Sequence, residues 1–293
     1  MAAARDRSNT SLFSSPLETL PAELRNEILR NVSDLETLRS LVHASPVMHA
    51  QYRRNRDMVL RGFMGRELDG FFVDAYARLM SRLDTLGPVR TDDKITGFLE
   101  AYRGWLSASS PCPNVNQVHS SYLRWMAAFH LSVARPLARQ YSTWALSNLA
   151  SGASSSGTHD AGDPEATVGD QHFTLSRSED IRIFRALYRY ETFCHLFDRS
   201  PAIRRGGFPH YEINDIFFGL FDPWEAEAVG CIDLFMRHSY AAIFAEVEAD
   251  LHPGNEKFRQ PNGVFNPEGS IDLKVEYDGK EPPISWRNGV TLG

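Results

Sequence analysis

Cysteine is scarce, and its three occurrences, Cys112, Cys194 and Cys231, are far apart. No C-x-x-C pair is available for a metal or a redox couple. An odd number of scattered thiols also argues against a secreted disulfide framework, so a reducing cytoplasmic or nuclear setting fits best. Long apolar runs are missing as well. No stretch approaches the ~18 apolar residues of a spanning helix, and Met1-Ala2-Ala3-Ala4-Arg5-Asp6-Arg7 leads into polar Ser and Asn, not into a signal-type apolar core. No membrane partner is expected, and the sequons at Asn9 and Asn31 are expected to be unused. The formal net charge of −6 excludes a general electrostatic preference for nucleic acid.

Catalytic signatures are equally sparse. There is no G-x-S-x-G or H-E-x-x-H element. Gly206-Gly207 lacks the Lys-Ser/Thr of a phosphate loop and reads as a turn. Cys194, His195 and Asp198 fall on one predicted helix, but adjacent residues there point about 100° apart, so Cys194 and His195 make a poor nucleophile–base pair. Cys194 reads as a packing residue. His43 and His49 flank a predicted helix break with no third ligand in view. The expectation is a chain that is not an enzyme and has no metal and no cofactor.

What is present is helical periodicity. A hydrophobic content of 42% with 23% charged residues allows a buried core in a chain of 293 residues. Residues 1–16 read as a disordered N-terminus. Residues 17–61 read as three short helices, and helical patterns recur at about 63–85, 92–107 and 117–149, with Pro136 interrupting the last. A Ser/Gly/Asp-rich insertion at about 151–171 reads as flexible. Beyond it, Ser178 can cap a helix carrying Ile181, Phe184, Leu187, Tyr188, Phe193, Leu196 and Phe197. Asp222-Pro223-Trp224-Glu225 opens another helix, expected to end near Leu251 before His252-Pro253-Gly254. The tail, 254–293, reads as loosely ordered. Only Ile271 to Tyr277 alternates like a strand, and Pro282-Pro283-Ile284-Ser285-Trp286 has no clear packing place. The fold class is mainly α, with a three-helix N-terminal module followed by an irregular helical domain over 63–251. Phe217, Phe218, Phe221 and Trp224 read as core between the last helices, with a substrate pocket as the alternative. Arg53, Arg54, Arg56, Arg61 and Arg66 follow the third short helix, and a helix C-terminus explains such a cluster.

The informative segment is 17–61. Leu20-Pro21 opens a helix with Pro at its first position, and Leu24, Ile28 and Val32 form an apolar stripe. Glu23 lies in the first turn, where the dipole favours an anion. Ser33-Asp34-Leu35-Glu36 reads as a capping box for a second helix with Leu35, Leu38, Leu41 and Val42 on one side. Ser45-Pro46 caps a third helix through Val47, Met48, Ala50 and Tyr52. Three helices in about 45 residues bury too little surface to stand alone comfortably. Their apolar stripes should be covered by a partner or by the rest of the chain.

Leu20-Pro21-Ala22-Glu23-Leu24, then Ile28-Leu29, then Leu35 to Leu41, resembles the F-box in the divergent form of many fungal proteins. The family's third helix often carries Trp. Tyr52 stands in that neighbourhood here, and Ser45-Pro46 replaces the usual Cys-basic pair. Arg185 to Tyr190 and Phe221 to Glu225 resemble segments of uncharacterised fungal F-box-like proteins. The resemblance implies binding to a Skp-type adaptor and, through it, to a cullin–RING ubiquitin ligase scaffold. By that resemblance Leu20, Pro21, Leu24, Ile28, Leu35, Leu38 and Leu41 are the adaptor contacts, and the remainder of the chain selects an unidentified protein substrate. The alternative is an interaction module not assembled into a ligase, and the same leucines packing only on later helices would favour it. Lysine occurs only at Lys94, Lys257, Lys274 and Lys280. Genomic composition accounts for this. A shortage of acceptor amines beside a ubiquitin-transfer site is the sharper reading.

Overall fold

The computed structural model describes residues 15–87, 89–155, 175–197, 208, 210–252 and 255–258. Most of the 151–171 insertion, Asp198, Gly206-Gly207, the alternating Ile271–Tyr277 segment and the Pro282–Trp286 segment lie outside them. The described residues are helical and contain no strand, so the mainly α expectation holds. No helix among them is long and apolar enough to cross a membrane. Two compact units are present: Met1–Asp69 with Pro113–Leu131, and Gly70–Cys112 with Ser132–Gly293.

The first unit contains α1 (Ala22–Asn31), α2 (Leu35–Ala44), α3 (Pro46–Glu67) and α7 (Ser120–Phe129). Pro21 sits at the N-cap of α1, one position before the first helical residue where the sequence places it. The cap of α2 is Asp34, not Ser33: its carboxylate accepts from the Thr37 amide at 2.8 Å, while Ser33 donates to that carboxylate. A carboxylate is the better acceptor and also answers the helix dipole. Ser45 caps α3 as expected, accepting from the Met48 amide, with Pro46 in the first turn. α3 then runs 22 residues through the boundary expected near 61–63 and kinks at Asn55 (φ −117°, ψ 18°) without ending. After Pro46 no proline follows before residue 67 to stop it. α1, α2 and α7 all pack on α3. Leu29, Met48, Val59 and Met64 are fully buried, each contributing about 1.5–3 kcal/mol by removal from water. The module is therefore not three helices alone, because a later segment returns to complete it.

The second unit comprises α4 (Phe72–Met80), α5 (Leu83–Leu86), α6 (Asp92–Leu106), α8 (Arg135–Ser155), α9 (Arg177–Phe197), α10 (His210–Ile213) and α11 (Pro223–Leu251). α9 is the central strut, packed by α4, α8 and α11. Its cap is Ser176, not Ser178. Ser176 and Glu179 bond reciprocally as a capping box, which places the cap two residues earlier than expected. The expected apolar side of α9 is the buried one, with Phe184, Leu187, Tyr188, Leu196 and Phe197 inside. α11 ends at Leu251 as expected, although Asp222 at its N-cap makes no side-chain cap bond. α7 passes into α8 through a π-turn, His130–Ala134, just before Pro136. Pro136 has no N–H for the carbonyl four residues back, and the wider turn absorbs that loss. α8 extends to Ser155, past the start of the expected insertion.

Candidate functional site

The seven leucine, isoleucine and proline positions marked by the F-box resemblance divide sharply in accessibility. Leu35 and Leu38 are 2% and 3% exposed within this chain alone. As they stand, they offer nothing to a partner. Pro21 and Leu24 are exposed, Leu24 by 51%, and Leu20, Ile28 and Leu41 are half-buried. Leu17, which periodicity did not mark because it precedes the helix, is 42% exposed beside them in sequence. α1 turns Leu29 inward, which leaves the Leu24–Ile28 stripe at the margin of the packed surface. The segment before α1 is pinned: Arg25 donates to the Glu18 carbonyl, and Ser45 Oγ donates to Glu18 Oε1 at 2.6 Å. Beneath α1, Asn26 Oδ1 accepts from Gln51 at 2.8 Å and from Asn55 at 2.7 Å, which fixes the register of α1 on α3 and holds the kink. His43 and His49 are both exposed. Among the described residues no group of three His, Cys, Asp or Glu side chains could hold a metal ion.

The second unit holds two polar clusters, one buried and one partly so. In the first, Arg189 Nε donates to Asp74 Oδ1 at 2.8 Å and Arg189 Nη1 lies 3.2 Å from Glu225 Oε2. Tyr102 OH donates to the same Asp74 oxygen. The guanidinium also stacks 4.2 Å above the Phe221 ring. Asp74, Tyr102 and Arg189 are all buried. Burial, and then the Asp74 carboxylate, push the Tyr102 hydroxyl well above its usual range. Burial alone would weaken the Arg189 cation, but Asp74, Tyr102 and Glu225 outweigh it and raise its proton affinity. The cluster ties α4, α6, α9 and α11 together, and sequence spacing gives no sign of it.

The second cluster superficially has the composition of a nucleophile, a base and an acid. His195 Nδ1 lies 2.8 Å from Ser81 Oγ, and His195 Nε2 lies 3.9 Å from Glu191 Oε2. Its chemistry is different. Ser81 has one hydroxyl hydrogen, and its Oγ also lies 2.9 Å from the Arg78 carbonyl, which can only accept. Both contacts are satisfied when His195 carries its proton on Nδ1 and donates to Ser81, the reverse of a general base. Burial, then Arg78, Arg90 and Arg82, lower His195 to about 3. Burial raises Glu191 against the pull of Arg78. Ser81 is fully buried. Arg90, also buried, donates to the carbonyls of Ser81, Gly87 and His195. The group reads as a strut between α4 and α9.

Phe217 is fully buried and Phe218 and Phe221 line the same core, as expected, but Trp224 is 67% exposed and is not part of it. At the start of α11 the Trp224 side chain falls on the outer side of the helix, while Val229 and Ile232 point in. Against known proteins, the chain matches no family model, no curated protein and no solved structure. The class its fold defines is mainly α, with two compact units that are each discontinuous in sequence.

Proposed function

We propose that this chain is a non-catalytic adaptor. Its first unit docks onto a Skp-type adaptor of a cullin–RING ubiquitin ligase, and its second unit selects the protein substrate. The observation that supports this most is the exposure of Leu17, Pro21 and Leu24, with Leu20, Ile28 and Leu41 half-buried, where the Leu-Pro-x-Glu-Leu pattern falls. The contacts are thereby narrowed: Leu35 and Leu38, buried within the chain, are not among them. The mechanism is proximity, in which a held substrate meets the ubiquitin carrier at raised effective concentration. Such work belongs in the cytoplasm or nucleus and needs neither cofactor, nucleic acid nor membrane. The burial of Leu35 and Leu38 favours a second reading, an interaction module that keeps the fold but joins no ligase.

Size-exclusion co-elution of the full chain with a purified Skp-type adaptor separates these readings. The intact chain is expected to co-elute. Leu24→Asp, at an exposed position, is expected to weaken the complex at least about ten-fold with helical content unchanged, as a lost central apolar contact does. Leu20→Ala with Pro21→Ala should act in the same direction. An intact chain that does not co-elute ends the ligase reading and leaves the second. A Leu24→Asp protein that binds normally shows that the face is misassigned.

A further inference from the structure

Lysine is ordinarily among the commonest residues, and here its scarcity has a pattern. Of the 26 arginine and lysine positions before residue 257, only Lys94 is lysine. Of the five from 257 onward, three are: Lys257, Lys274 and Lys280. A compositional bias sets the ratio of the two residues, about one lysine in eight here, but not their places. At that ratio five positions would hold less than one lysine. The first unit has 11 arginines and no lysine. The fold demands some of the arginines. Arg61 and Arg90 each donate to three carbonyls, and Arg189 pairs with Asp74 and Glu225. An ammonium on a flexible stem lacks the planar fork that suits such contacts. Arg39, Arg53, Arg54, Arg56 and Arg103 have no such duty: they are exposed and make no side-chain bond among the described residues. Lysine would serve there as well, yet none of them is lysine. What separates the two residues at such positions is acylation. A lysine amine that gives up its proton is a nucleophile, and a guanidinium never gives one up.

We propose that Lys257, with Lys274 and Lys280 after it in sequence, is where ubiquitin becomes attached to this chain itself. The proposal rests on the adaptor reading, which brings the chain to a ubiquitin carrier, and adds the acceptor to it. Lys257 is exposed, in the single 3₁₀ turn Glu256–Phe258 beyond the end of α11, and its backbone N–H donates to Asn255 Oδ1 at 2.9 Å. Lys94, by contrast, sits in the first turn of α6, and its Nζ donates to the Val89 carbonyl at 3.3 Å. The co-reactant is the ubiquitin thioester on the carrier. The lysine Nζ attacks the thioester carbonyl carbon, an isopeptide C–N bond forms and the C–S bond breaks. The electron pair leaves on the carrier sulfur, and the proton shed by the amine goes to solvent. Nothing is oxidised or reduced. Holding chain and carrier together supplies the rate.

The test is a reconstituted transfer reaction on the full chain with purified Skp-type adaptor, cullin–RING scaffold, activating and carrier enzymes, ubiquitin and ATP. Attachment to the chain is read by gel shift, and its position by mass spectrometry of tryptic peptides. Ubiquitin is expected on the lysines from 257 onward, Lys257 among them. Lys257→Arg, Lys274→Arg and Lys280→Arg together keep every charge and are expected to slow attachment at least about ten-fold, since no guanidinium is acylated. Lys94→Arg should leave the rate nearly unchanged. Co-elution with the Skp-type adaptor is measured for each protein. An intact chain that does not co-elute ends the adaptor reading and this proposal with it. Co-elution without attachment, attachment chiefly at Lys94, no ubiquitin at Lys257, or a triple variant modified at the parent's rate would each overturn the proposal and leave the adaptor reading standing.

Discussion

His195 gives the sharpest prediction about stability. An ordinary imidazole titrates near 6.5, and here it is lowered to about 3 by burial first and by Arg78, Arg90 and Arg82 next. Its unfolded form therefore binds a proton at a pH where its folded form does not. The stability associated with neutral His195 is complete above about pH 6.5 and is lost as pH falls from there toward 3. Each tenfold change in proton affinity corresponds to about 1.36 kcal/mol, so the full loss approaches ~5 kcal/mol, of which about 2 kcal/mol is gone by pH 5. Glu191 works the other way, because its raised pKa means that acid relieves a partly desolvated charge. The comparison that isolates His195 is the parent against His195→Gln, which keeps an amide donor for Ser81. Urea unfolding followed by far-UV circular dichroism at about pH 7 and about pH 5 gives both stabilities. The variant is expected to be less stable than the parent at neutral pH and to lose about 2 kcal/mol less on acidification. Equal losses in the two proteins would show that His195 titrates as a solvated group and that the buried assignment is wrong.

Two further outcomes follow from the second unit. Asp74→Ala leaves the Arg189 cation only Glu225, and Arg189→Met leaves the Asp74 carboxylate only the Tyr102 hydroxyl; each is expected to cost about 3 kcal/mol, the low end for breaking a buried pair. The double variant should cost clearly less than their sum, and additivity within about 0.5 kcal/mol would mean that the pair is uncoupled. Gly70 has φ +88°, and a Cβ there would sit 2.8 Å from Ile181 Cδ1. Gly70→Ala should therefore lose about 1–2 kcal/mol, read as a lower melting temperature. Adding Ile181→Val removes the Cδ1 atom and should recover the steric part while leaving the backbone part, so no recovery would argue against the overlap.

Much of the helical layout can be read locally, because capping and periodicity are local. Ser45-Pro46 starts α3, the Asp222-Pro223 start and Leu251 end of α11 are found where expected, and the buried side of α9 is the aromatic one. Caps differ from expectation by one or two residues where two capping side chains stand close together, as at Ser33 and Asp34 and at Ser176 and Ser178. The missing boundary near 61–63 has a related cause: a kink with no proline bends a helix and does not end it. Long-range pairing is not legible. Nothing near Ser81 announces a histidine 114 positions away, and nothing in the pattern of 117–149 says that its first turns belong with α3. The candidate docking residues are legible as apolar but not as inward or outward, since Leu24 and Leu38 look alike in a periodic stripe and differ only once α3 is in place.

The discontinuity of the first unit bears on synthesis. α1, α2 and α3 leave the ribosome well before α7, and the 43 residues between them, 70–112, belong to the other unit. At about 5–20 residues per second the wait from Asp69 to Leu131 lasts roughly 3–12 s. During that interval the side of α3 reserved for α7 is bare in the nascent chain, and the emerging α4 and α6 have neither α9 nor α11 to meet. The first unit has all its helices once Leu131 has emerged, long before α9 and α11 arrive to complete the second, so a nascent-chain chaperone has both units to shield before α7 and only the second one after it.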